Sequence, residues 1–246
     1  TVLSGRITSS TGAEGQCYHV VTFTNDLFDY EEMVIDEGGQ LASYSAREDA
    51  EAQRAVLDGL FLEHGFANAP DGEDRCGGGA VVPGYAHIRN CVVQHNEAND
   101  YGGGLYLQPN ALVSGTIIKS NNASVGGGIY IEAPENQNPD TLAHIYSTTI
   151  CGNTATASAG GMWFDNTNVR VNSTVVWQNN ANDNANVSGI FSRTSADTEY
   201  PFNYCAVESR RLEGQCNLEL SPTETEGVRW DNFDPFSAFQ YYPSEM

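Results

Sequence analysis

CVVQHN (91–96) and TIIKSN (116–121) are one six-residue phrase written twice. Each runs from a small residue through aliphatics to a closing Asn. The phrase returns as TTICGN (148–153) and TVVWQN (174–179), so that Asn96, Asn121, Asn153 and Asn179 lie 25, 32 and 26 residues apart. A second phrase runs between them: GGGAVV (77–82), GGGLYL (102–107), GGGIYI (126–131) and GGMWF (160–164), with a weaker copy SGIF (188–191). A third precedes each Asn-terminated one: HIRN (87–90), ALVSG (111–115), HIYS (144–147) and VRVN (169–172). Three phrases recurring in one order at a period near 25 residues are the mark of a solenoid.

Each period reads as one coil of three short strands and three bends. Side chains alternate in and out along a strand. Val93, Ile118, Ile150 and Val176 then point inward in one strand, and Ile88, Val113, Ile145 and Val171 in another. One coil cannot bury its own apolar face, so the coils must stack, like residue above like. The expected fold is all-β, a right-handed parallel β-helix with three sheets. Asn suits a bend, where it tolerates a left-handed backbone and bonds its neighbours. Stacked on the next coil it forms an amide ladder, the structural role expected for Asn96, Asn121, Asn153 and Asn179. The glycines allow positive φ and close backbone approach where the coil turns.

The regular coils span 77–191. TVLSGRI (1–7), YHVVTFT (18–24) and RAVLDGLFLEHG (54–65) read as degenerate coils, with Gly65 in the place of the Asn. Residues 36–53, with a short helical turn at 46–53, 66–76 and 132–141 read as insertions; the last accounts for the long interval before Asn153. The β-helix thus occupies 1–200. Residues 201–246 lose the repeat and carry Trp230, Phe233, Phe236, Phe239, Tyr241 and Tyr242, as a capping or connecting segment would.

Composition bounds the function. The chain of 246 residues has 11 Lys and Arg against 32 Asp and Glu, a net charge of −21. Such a surface repels phosphate backbones, which argues against nucleic acid as a partner. No stretch approaches the length of an apolar membrane span. Six cysteines in a chain rich in Gly, Asn and Ser suggest an oxidising compartment, and Cys205 with Cys216 is the expected disulfide. Their spacings match no zinc motif. The chain opens at Thr1 without a signal peptide, as a mature product or a piece of a longer protein would.

TVLSG, YHVV and AVLDGLFLEHG, followed by alternating N-x-A and GGG-[LIM]-[YW] units, resemble bacterial right-handed β-helix surface proteins. The alternation is similar to repeats of polymorphic outer-membrane adhesins. The resemblance covers about residues 1–200 and implies an extracytoplasmic location, at the cell surface or secreted. It leaves function open, because such repeats serve adhesins, anchored proteins and polysaccharide-degrading enzymes alike.

No catalytic residue is assigned. A lyase or glycoside hydrolase needs carboxylates gathered on one face with a base, metal or cation. The regular coils hold only Arg89, Lys119 and Arg170, of which Arg89 and Arg170 read as equivalent outward positions. His19, His64, His87, His95 and His144 lack metal spacing, although His87 and His144 fall at equivalent positions of two coils. Calcium is the one cofactor kept in view, through Asp71, Glu73 and Asp74 or Asp26, Asp29 and Glu31; neither set matches a defined calcium loop. The strongest binding signal is aromatic. After each glycine run the middle residue reads Val81, Tyr106, Tyr130, Trp163 and Phe191, set between aliphatics. Inward aliphatics send Tyr106, Tyr130 and Trp163 outward as one row, a candidate surface for glycan or another surface protein. The reading is a non-catalytic surface module for binding, adhesion or envelope assembly; the alternative is a β-helical polysaccharide lyase or glycoside hydrolase.

Overall fold

A computed structural model of the chain describes residues 1–8, 14–23, 34–35, 41–42, 55–134, 142–167, 169–191, 202–208 and 218–220. Among these residues there is no α-helix, and four sheets are parallel throughout. The chain is a parallel β-helix, with four sheets rather than the three expected. The first, S1, holds eight strands and includes Phe61–Glu63, Val92–Gln94, Ile117–Lys119, Thr149–Cys151 and Val175–Trp177. S2 holds five: Phe66–Ala67, Glu97–Ala98, Asn122–Val125, Thr154–Ser158 and Asn180–Asp183. S3 holds six, with Ala80–Val82, Leu105–Leu107, Ile129–Ile131 and Met162–Thr167 at its centre. S4 holds six, with Ala86–Arg89, Leu112–Ser114, Ala143–Tyr146 and Val169–Asn172 at its centre.

Each coil visits S1, S2, S3 and S4 in that order. S2 escaped the sequence reading because its inward residues are alanines: Ala67, Ala98, Ala123 and Ala155, none more than 3% exposed. Alanine gives a weak apolar signal, and the surrounding Asn, Thr and Ser suggest a loop. The two expected aliphatic ladders are present. Val93, Ile118, Ile150 and Val176 pair in register and are fully buried, as are Ile88, Val113, Ile145 and Val171. Leu62 and Val207 extend the first ladder by one coil each way. Each such side chain contributes about 1.5–3 kcal/mol of burial.

Three columns of left-handed residues turn the coil. Asn90, Gly115, Ser147, Ser173 and Tyr204 lie between S4 and S1; His95, Ser120, Gly152 and Gln178 between S1 and S2; Gly77, Gly102, Gly126 and Ala159 before S3. The bend before S2 therefore falls one residue earlier than expected, and the ladder Asn that follows has an ordinary backbone. That Asn is buried and fully bonded. Asn121 Nδ2 donates to Val93 O of the coil below and to Asn153 Oδ1 of the coil above, each at 3.0 Å. Its Oδ1 accepts from both the backbone N–H and Nδ2 of Asn96, again at 3.0 Å. Asn153 repeats the arrangement with Asn179. Gly65 opens the ladder by donating its N–H to Asn96 Oδ1 at 2.9 Å. Asn186 closes it, accepting from Asn179 Nδ2 at 3.0 Å only seven residues on.

The glycine phrase is the other half of this device. A Cβ on Gly104 would come within 2.9 Å of Asn121 Nδ2, and one on Gly128 within 3.0 Å of Asn153 Nδ2. The glycine carbonyl of the next coil lies nearer still, at 2.6 and 2.7 Å, so stacked backbone and Asn amide together leave no room for a side chain there.

The irregular ends fit the same frame. Val2–Ser4 joins S1, Val21–Thr22 joins S3 and Ala55–Asp58 joins S4. Arg6–Thr8 instead pairs antiparallel with Glu14–Gln16. Beyond residue 200, Ala206–Glu208 and Leu218–Leu220 continue S1. The expected helical turn at 46–53, most of the 132–141 insertion and the aromatic residues from Trp230 on lie outside the described residues.

Candidate functional site: the outer aromatic row

The outward residues of S3 run in register as Val81, Tyr106, Tyr130, Trp163 and Ser188. The three aromatic residues singled out by the sequence thus stand side by side on consecutive coils. The fifth place belongs to Ser188 rather than Phe191. The register shifts between Phe164 and Thr167, so that Phe191 pairs with Thr167.

The row is a stack. The Tyr106 and Tyr130 rings are 5.2 Å apart and inclined by 8°, so each covers a face of the other. Tyr101 adds a third ring, 4.5 Å from Tyr130 and tilted by 30°. Tyr130 is consequently only 7% exposed, although it points away from the core, whereas Tyr101 is 40% exposed. Tyr106 and Trp163 are half-buried.

Beside the rings stands a second outward row. Glu132 follows the inward Ile131, and Asp165 follows the inward Phe164. The Tyr106 hydroxyl donates to Glu132, and the Tyr130 hydroxyl to Asp165. Burial, reinforced by these carboxylates, pushes both phenols far above their ordinary pKa, so both stay protonated donors. Alternation about Ile131 and Phe164 was the available signal for the two carboxylates. Tyr101 carried none, because it stands outside the glycine-led strand, at an isolated bridge to Val125.

One corner of the site is braced by charge. Arg75 donates from Nε to Asp100 Oδ2 at 2.6 Å and from a terminal nitrogen to Oδ1 at 2.7 Å. A further bond from Arg75 to Ala69 O ties this fork to the segment leading into the first glycine run. The guanidinium holds the Asp100 carboxyl below its ordinary pKa. Burial pushes the neighbouring Cys76 thiol up to about 11.

The remaining candidates are dispersed. Arg89 pairs with Asp58 at 2.9 Å and lines up with Ser114 and Tyr146, whereas Arg170 lines up with His144 and Leu112. The two arginines are therefore in different rows, correcting their supposed equivalence. His87 and His144 do share a row, two coils apart. Asp74 of the calcium candidates faces His19 at 3.1 Å, and no cluster of three metal-ligating residues gathers among the described residues. Asp26, Asp29 and Glu31 lie outside them.

The cysteines have a role that spacing alone did not reveal. Cys91, Thr116, Thr148, Thr174 and Cys205 occupy one corner position on successive coils. Each donates to the carbonyl two residues earlier, at 3.1, 2.9, 3.0, 3.0 and 3.3 Å respectively. The Cys205 thiol is buried and also bonds Val171 O at 3.3 Å. Its expected partner Cys216 lies outside the described residues, and no disulfide joins the described cysteines.

Compared with known proteins, the chain matches no family model, no curated protein and no solved structure.

Proposed function

We propose that this chain is a non-catalytic binding module of an extracytoplasmic bacterial protein, at the cell surface or secreted. It engages glycan or a partner protein through the outer face of S3 and serves adhesion or envelope assembly. The observation that carries this reading is the in-register aromatic row with Glu132 and Asp165 beside it. Core packing does not require large rings on an outer face, and aromatic surface suits sugars and protein partners. The bacterial, adhesin-like assignment rests on the repeat phrases and their resemblance to surface β-helices. The net charge of −21 favours neutral or cationic ligands over anionic ones.

The test is a glycan array with the purified chain, combined with product analysis and with Tyr130→Ala and Trp163→Ala. Binding lost at unchanged melting temperature supports the module. Melting lowered with binding intact makes the row structural. The enzyme alternative draws on the same two carboxylates, on neighbouring coils. It predicts released oligosaccharide that vanishes in Glu132→Gln and Asp165→Asn. Each carboxylate already accepts from a tyrosine hydroxyl, which favours binding over proton transfer.

A further inference from the structure

We propose that the aromatic row offers one sugar-ring site, at its Trp163 end, rather than a strip of equivalent subsites. This rests on the glycan-binding reading and narrows it. A sugar stacks on the face of an aromatic ring, and rings stacked on one another have little face to offer. Tyr130 is flanked by Tyr106 at 5.2 Å and by Tyr101 at 4.5 Å. Its 7% exposure leaves no room for a ligand on it. Trp163 differs. Its neighbour on one side is Tyr130 and on the other the small Ser188, whereas Tyr106, at the opposite end of the row, has the bulkier branched Val81 beyond it. The row therefore ends in a step, with the half-buried indole as its floor and a serine where the next ring would be.

The backbone beyond Trp163 departs from regular strand. Asn166 has φ +45°, and the register shifts between Phe164 and Thr167. Gly189 lies so close that a Cβ would come within 2.1 Å of Phe164 O. Such a bulge re-aims the side chains it contains, here Asp165 and Asn166. Asp165 accepts from the Tyr130 hydroxyl, and a carboxylate has further lone pairs for a sugar hydroxyl. Asn166 supplies an amide in the same bulge. An aromatic floor, a fixed acceptor and an amide describe a site for one neutral pyranose. A uronate carboxylate would meet Asp165 in like-charge repulsion.

The experiment is calorimetric titration of the whole chain with neutral hexose oligosaccharides, chito-oligosaccharides and galacturonate oligomers. We expect binding to one of the first two, with galacturonate at least about tenfold weaker. Trp163→Ala and Ser188→Tyr should each weaken binding by about tenfold or more, the second by filling the step with a ring. Tyr106→Ala should weaken binding clearly less than Trp163→Ala, and Lys119→Ala, on the outer face of S1, should stay within about twofold of the parent. Ser188→Leu, which fills the step without a ring, guards against a folding defect peculiar to tyrosine, and melting is followed for every variant. Equal losses in Tyr106→Ala and Trp163→Ala, or parental affinity in both folded Ser188 variants, would overturn the one-ring site while leaving glycan binding intact. No binding of any of the three sugar classes by the parent chain would overturn the glycan reading itself.

Discussion

The inner Asn ladder and the outer aromatic row are built by the same repeat yet obey different rules. Asn96, Asn121 and Asn153 are the same residue on three coils because each, away from water, accepts through Oδ1 from the coil below and donates through Nδ2 both to a carbonyl of that coil and to the Asn of the coil above. No other side chain meets that set of partners at that place. The outer position changes from Val81 to Tyr106, Tyr130, Trp163 and Ser188 over the same stretch. The stacked coils impose no single residue type there. Uniformity inside reports folding, and variety outside leaves room for function.

That contrast can be broken by stability measurements. The largest effect belongs to Ile118→Asp, which puts a charge into the fully buried aliphatic ladder. It should cost on the order of 4 kcal/mol, read from denaturant unfolding, and a loss under about 1 kcal/mol would contradict the stacked core. Asn121→Ala comes next. It strands Val93 O and both donors of Asn96, at a cost of about 2–3 kcal/mol. Trp163→Ala, on the outer face, should cost only about 1 kcal/mol. If it costs more than Asn121→Ala, the division between a folding inside and a permissive outside fails.

The smallest effect sharpens the comparison at the corner. Cys205→Thr restores the residue found at Thr116, Thr148 and Thr174, and should change stability by less than about 1 kcal/mol at neutral pH. It should also reduce the alkaline loss. Burial raises the Cys205 thiol from 9.0 to about 11 in the folded chain. The unfolded chain therefore ionises first, and this thiol's contribution is complete below pH 9 and lost as pH rises from about 9 to about 11. The threonine variant lacks that contribution to the slope, which paired unfolding curves across this window would register.

What the sequence by itself determined is the coil and its contents. Aliphatics in alternation, a closing Asn and a glycine run are local patterns. Their recurrence alone requires stacking, because a single coil leaves its apolar face wet. The ladders of Val93, Ile118, Ile150 and Val176, and the alignment of Tyr106 with Tyr130 and Trp163, follow from that period. Tertiary structure decided what depends on contacts across the period rather than along it. The alanine-lined S2 became a strand only because neighbouring coils supply its hydrogen bonds. Asn186 closes the amide ladder from seven residues away, where no periodic pattern places it. Cys91 and Cys205 stand in for threonine because a thiol and a hydroxyl donate to the same carbonyl. Tyr130, outward by alternation, is buried because rings on adjacent coils come within stacking distance.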